Sequence, residues 1–199
     1  MSDGWPPVLE RGVAELMHEG EGRTGDVAVF APCRRGALVA VIDGLGHGGF
    51  AADAAEAAAA VVRERVEDAP HDLLEACHRE LRSTRGAVMT LAWFDLGAPV
   101  LEWTGVGNVE ARLVRAGARP DSPVVLGGVL GMNLPKVRLT TVALQPGDTV
   151  VLATDGVAAD FSEAIDPGAG AQQIADRVIE RYGKGTDDAL VAVVRFLGE

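Results

Sequence analysis

Short apolar runs closed by turn residues dominate the chain. Residues 27–30 and 37–42 are aliphatic and partly β-branched, and Pro32-Cys33-Arg34-Arg35-Gly36 separates them, so they predict a hairpin. The Gly-rich stretch 20–25 predicts a turn leading into it. From Gly49 the pattern changes. Residues 49–66 are crowded with alanine, with Glu56, Arg63 and Glu64 left for a wet face, which predicts a helix able to pack close to a sheet. Pro70 opens a second helix, to about residue 82, with Leu73, Leu74, Cys77 and Leu81 at helical spacing. Strand-like runs follow at 87–94, 100–105, 109–114, 137–144 and 149–153. Asp95-Leu96-Gly97, Gly107-Asn108, Gly117 and Gln145-Pro146-Gly147-Asp148 punctuate them. A third helix is expected at 171–182 and a closing strand at 189–196.

Helices and strands do not alternate one for one, which excludes a doubly wound parallel sheet and predicts an α+β sandwich with helices covering antiparallel sheets. No repeat or linker interrupts the pattern, and 199 residues suit one core, so a single domain over 1–199 is expected. An apolar content of 48% excludes disorder. The formal charge of −11 argues against nucleic acid and against anionic membrane surfaces as partners. No apolar run spans a bilayer, and residues 1–10, with Asp3, Pro6 and Pro7, lack a signal core; the expectation is a soluble cytoplasmic monomer. Cys33 and Cys77 have no ligand spacing and read as small buried or half-buried residues.

The candidate chemistry lies in aspartates at strand ends. The run 38–42 enters Asp43-Gly44, the run 150–154 enters Asp155-Gly156, Asp187-Asp188 precedes the last strand, and Gly25-Asp26 opens the first. A carboxylate at a buried strand end is costly unless paired or bound to a cation. Arg23 and Lys184 are the nearest bases in sequence. A divalent cation resolves the repulsion, and oxygen ligands favour Mg²⁺ or Mn²⁺ over zinc. Two ions about 3.5–4 Å apart activate water and clamp a phosphoryl oxygen.

Asp43-Gly44-Leu45-Gly46-His47-Gly48 is similar to the Asp-Gly-x-Gly-x-Gly signature of the PPM-type metal-dependent protein phosphatases, in their bacterial SpoIIE-like branch. Gly25-Asp26, Arg85-Gly86-Ala87, Gly105-Val106-Gly107-Asn108, Thr154-Asp155-Gly156-Val157 and Asp187-Asp188-Ala189 resemble the branch's other motifs, in order, over roughly residues 20–197. The resemblance implies a four-layer αββα sandwich with no separate regulatory domain and two Mn²⁺ or Mg²⁺ ions in a cleft at one sandwich edge. It implies hydrolysis of phosphoserine or phosphothreonine by a metal-activated water. Asp43 would bridge the metals, the Gly44 carbonyl would bind one, Asp155 and Asp187 the other, and Asp26 would act through waters. Asp188 would hold a further metal or cap its strand. A chain of this length also resembles the branch's stand-alone stressosome phosphatases, which implies phosphorylated STAS-domain proteins of a bacterial stress-response pathway as substrates. Leu190 departs from the pattern, standing where relatives often carry a hydroxyl.

His47, in the signature loop, is a candidate proton relay, with a loop-shaping hydrogen bond as its plainer role. Arg23 is a candidate phosphate ligand by proximity. His18, His71 and His78 read as surface residues, Trp93 and Trp103 as packing, and Asn108 as a turn residue that can also lean towards the site. Two other functions compete. One is a catalytically silent binding module of the same fold. The other is a dinucleotide site on Gly44-x-Gly46-x-x-Gly49, against which Asp43 would repel a pyrophosphate and no second parallel strand is expected.

Overall fold

In the computed structural model, residues 4–18 and 22–198 are described. The elements run β1 (Leu9–Leu16), β2 (Asp26–Cys33), β3 (Gly36–Gly44), α1 (Gly49–Glu64), α2 (Pro70–Glu80), β4 (Ala87–Asp95), β5 (Val100–Val106), β6 (Glu110–Val114), β7 (Val125–Leu126), β8 (Thr140–Ala143), β9 (Thr149–Ala153), α3 (Ala171–Tyr182) and β10 (Ala189–Phe196). One sheet has the order β1-β10-β9-β6. The other runs β2-β3-β4-β5, with both β7 and β8 along the far side of β5. All pairings between these strands are antiparallel except the short β5–β7 pair. Gly20 and Glu21 of the expected turn lie outside the described residues.

The period-2 alternation of strands builds the layers. On β3, Val39 and Val41 face the other sheet and meet Trp103, Leu152, Ala192 and Val194 in the inter-sheet core. The intervening Leu38, Ala40 and Ile42 face outward onto Ala54, Ala55, Ala58 and Val62 of α1 and Leu73 and Leu74 of α2. On the other flank, Val151, Val191 and Val193 meet Ile174, Ala175 and Val178 of α3. The result is the expected αββα sandwich. Strands buried on both faces read as continuous apolar runs, which is why β3 and β10 stood out in the sequence.

Two features differ from expectation. β1 lies where no element was expected. Of its eight residues only Leu9 and Gly12 are buried, and Gly12 is there because a Cβ would collide with the backbone of Ala171 and Gln172 at the start of α3. The run 137–144 forms only four residues of strand, and between β6 and β8 the only strand among the described residues is the two-residue β7. The dinucleotide reading fails here, because both neighbours of β3 are antiparallel to it and α1 leads into α2 rather than a parallel strand.

The topology also concentrates the aspartates. Antiparallel pairing sets the start of β2 beside the end of β3, and the end of β9 beside the start of β10. Packing the sheets face to face brings these four strand ends to one edge of the sandwich.

Candidate functional site

A cleft of about 790 Å³ opens at that edge, lined by Asp26, Asp43, Asp155, Asp187 and Asp188 together with His18, His47, Asn108 and the glycines 127 and 128. All five carboxylates singled out in the sequence therefore meet at one place, and His47 joins them from the signature loop. Gly44 lies beneath, buried, where a Cβ would strike the Ala51 carbonyl of α1.

Asp26 and Asp43 are register partners across β2 and β3. Like charges directly opposite each other on a sheet repel. Asp26 is only 4% exposed. Burial, above all, pushes its carboxyl up to about 7; the hydrogen bond from Thr154 works the other way, and the charges of Asp188, Asp155 and Asp187 add to the rise. Asp43 is pushed up to about 8, first by burial and then by the charges of Asp26, Asp155, Asp187 and Asp188. Both groups are thereby biased towards their protonated forms when no cation is near.

Neighbouring hydrogen bonds orient the cluster. The Thr154 hydroxyl donates to Asp26 Oδ2 at 2.7 Å and accepts the Leu190 N–H at 2.8 Å. Backbone thus supplies a hydrogen bond at the position where Leu190 lacks a hydroxyl. The Asn108 amide donates to Asp155 Oδ2 at 2.8 Å, so Asn108 leans into the site rather than serving only its turn. Lys184 Nζ donates to the Asp155 backbone carbonyl at 2.5 Å, not to a carboxylate. Asp188 is spoken for at both oxygens: Oδ1 accepts the His18 N–H at 2.8 Å and Oδ2 the Gly25 N–H at 2.7 Å. Its geometry is that of an anchor for the β1–β2 connection. Arg23 instead pairs with Asp53 of α1 at 2.6 Å, and it lines a different groove.

His18 corrects the reading of a surface residue, for it lines the cleft and its Nδ1 is buried. Nothing near it in sequence reveals this, because its partner Asp188 is 170 positions away. The loop at Gly127–Val129, another wall of the cleft, was also missed. His78, also read as a surface residue, accepts the Gly131 N–H at 3.0 Å and ties α2 to that loop.

The donor set suits a hard divalent cation. It is all oxygen, strongly repulsive when ionised, and without a guanidinium or ammonium ion-paired to its carboxylates among the described residues. Among those residues no three side chains already converge as a closed cage. An open all-oxygen donor set of this kind fits Mg²⁺, an ion bound through few carboxylates and several waters.

The model of the Stage II sporulation protein E (SpoIIE) family matches residues 34–197. Asp26 stands outside that match, and its place in the cluster comes from the β2–β3 pairing. No curated protein matches the chain in sequence. A solved structure from work on the bacterial stressosome, as a modular system adapted to control secondary messenger signalling, is 31% identical, with TM-score 0.87 over 94% of this chain and 99% of that one. RsbX in complex with magnesium is 21% identical, with TM-score 0.85 over 94% of both chains. The catalytic domain of the serine/threonine phosphatase PstP with two manganese ions is 21% identical, with TM-score 0.70 over 96% and 99%. The fold is that of the PPM-type protein serine/threonine phosphatases. Within that class, the chain belongs to the SpoIIE family.

Proposed function

We propose that this protein removes phosphate from phosphoserine or phosphothreonine of a bacterial stress-signalling protein, with Mg²⁺ or Mn²⁺ held among Asp43, Asp26, Asp155 and Asp187. The observation that carries the proposal is the meeting of five carboxylates in one open cleft, where burial and mutual repulsion push the carboxyls of Asp26 and Asp43 up. When bound, the cations neutralise phosphoryl charge and lower the pKa of water towards neutrality.

The chain's own residues do the rest. Asp43 and Asp26, paired across β2 and β3, would hold the cations at the centre of the donor cluster. Thr154 keeps Asp26 turned inward, and Asn108 does the same for Asp155. His47, exposed on the signature loop, is the group for delivering a proton to the leaving seryl or threonyl oxygen. Asp188 holds the chain on which Asp26 begins. The structural likeness to RsbX and to the stressosome structure supports a phosphorylated STAS-domain protein as substrate.

The test is release of phosphate from phosphorylated STAS-domain proteins of the same genome, with Mn²⁺ added. Turnover is expected, and EDTA should abolish it. Failure on every phosphoprotein together with failure on p-nitrophenyl phosphate would favour the silent binding module.

A further inference from the structure

The cleft presents carboxylates, and the chain as a whole carries a formal charge of −11. A phosphorylated side chain brings up to about two more negative charges. Bound cations would offset part of that repulsion, and a guanidinium fixed to the protein can add bidentate hydrogen bonds to the remaining phosphoryl oxygens. Two cations near the site are already engaged, Arg23 with Asp53 and Lys184 with a backbone carbonyl.

Arg85 is differently placed. The Leu45 N–H donates to the Gly86 carbonyl at 3.0 Å, and Gly44 pairs with Ala87, so the signature loop is stitched to the residues that open β4. That stitching lays Arg85 against Gly46, which lines the cleft. The point where a Cβ on Gly46 would sit is 2.6 Å from Arg85 Nη1, so the missing side chain is what makes room for the guanidinium. Gly46 also has φ +97°, a conformation other residues adopt at a cost. Phe50, in the first turn of α1, stacks against the same guanidinium with Cζ 5.0 Å from its ring centre. Phe50 is 69% exposed, so core packing does not account for it. Among the described residues Arg85 makes no ion pair, which leaves its donor fork open to an anion.

We propose that Arg85, seated on Gly46 and steadied by Phe50, is the substrate-binding residue that takes the phosphoryl oxygens as the phosphoprotein enters the cleft. The inference rests on the phosphatase reading above. A planar guanidinium suits two phosphoryl oxygens at once, and an ammonium does not reproduce that fork.

The experiment compares Arg85→Ala, Arg85→Lys and Phe50→Leu with the wild type, at saturating Mn²⁺, on p-nitrophenyl phosphate and on a phosphoserine peptide. Both positions are at the surface, and thermal unfolding checks that each variant folds. Loss of one charge-assisted contact predicts that Arg85→Ala raises KM on both substrates by roughly 10- to 100-fold, with kcat changed less than about 3-fold. Inhibition by inorganic phosphate should weaken by the same factor. Arg85→Lys should recover part of the loss, and Phe50→Leu should show a smaller rise in KM.

An unchanged KM on both substrates overturns the proposal. So does a rise confined to the peptide, which would put the guanidinium on flanking sequence. A fall in kcat with weaker Mn²⁺ binding also overturns it, since Arg85 would then act through the loop. Absence of turnover in the wild type would count against the phosphatase reading. The Arg85 assignment is then decided by calorimetric binding of inorganic phosphate to the Mn²⁺-loaded protein, which must still weaken in Arg85→Ala.

Discussion

Asp188→Asn separates an anchoring carboxylate from a cation-binding one. The native side chain is 7% exposed and accepts two backbone N–H groups, from His18 at 2.8 Å and Gly25 at 2.7 Å. Asparagine keeps one acceptor and turns an NH₂ towards the other donor. A hydrogen bond to a charged acceptor contributes about 1.5–3 kcal/mol and a neutral one about 0.5–1.5 kcal/mol. One bond is lost outright and the other drops to the neutral range, while removal of a negative charge relieves some repulsion of Asp26 and Asp43. The net loss in the metal-free protein is about 2–4 kcal/mol. For a chain of this size that lowers Tm by roughly 5–15 °C. Urea unfolding in EDTA, followed by tryptophan fluorescence and far-UV circular dichroism, measures it. A variant as stable as the wild type, or more stable, would refute the anchoring role. If it had also lost Mn²⁺ affinity, Asp188 would have to be counted a ligand.

The two raised carboxyls set the pH dependence of the metal-free protein. Folded Asp26 and Asp43 stay protonated up to about 7 and 8, whereas unfolded aspartate ionises near 3.9. The folded state therefore binds more protons over that window, and its stability falls as pH rises from about 4 to 8. Scanning calorimetry should find a higher Tm at pH 5.5 than at pH 8 without metal, and a stabilisation by Mn²⁺ that grows over the same interval; a metal-free Tm flat across it would contradict the cluster's electrostatics. Arg115→Ala leaves the buried Asp148 without its bidentate partner, held now at 2.8 and 2.9 Å, and should cost about 3 kcal/mol in urea unfolding. Gly44→Ala pushes a methyl group into the Ala51 carbonyl and should cost more than about 2 kcal/mol, with weaker Mn²⁺ binding because Asp43 is its neighbour.

What could be read from the sequence follows from where each residue's partners lie. β3 and β10 were legible because both faces are buried, and α3 because Ile174, Ala175 and Val178 repeat at helical spacing. The order of Asp26, Asp43, Asp155 and Asp187 was legible because glycines and strand ends mark each one locally. β1 was hidden because its inward residues are one leucine and a glycine chosen for closeness to α3. Local pattern carries no trace of His18 or of the Thr154–Asp26 hydrogen bond, which join residues 170 and 128 positions apart in sequence. Arg23 shows the opposite error: nearness in sequence to Asp26 suggested a phosphate ligand, and Asp53 of α1 claims it instead.

The central claim is that the carboxylate cleft is a cation-dependent hydrolytic site organised on Asp43. Its most direct test joins calorimetric Mn²⁺ titration to p-nitrophenyl phosphate hydrolysis, for the wild type and Asp43→Asn. Loss of a partner one shell further out typically costs 10- to 100-fold, so removal of Asp43 itself should cost at least about 100-fold in kcat/KM and in Mn²⁺ affinity. Wild-type hydrolysis that survives EDTA, or an Asp43→Asn variant that binds Mn²⁺ and turns over like the wild type, would contradict it.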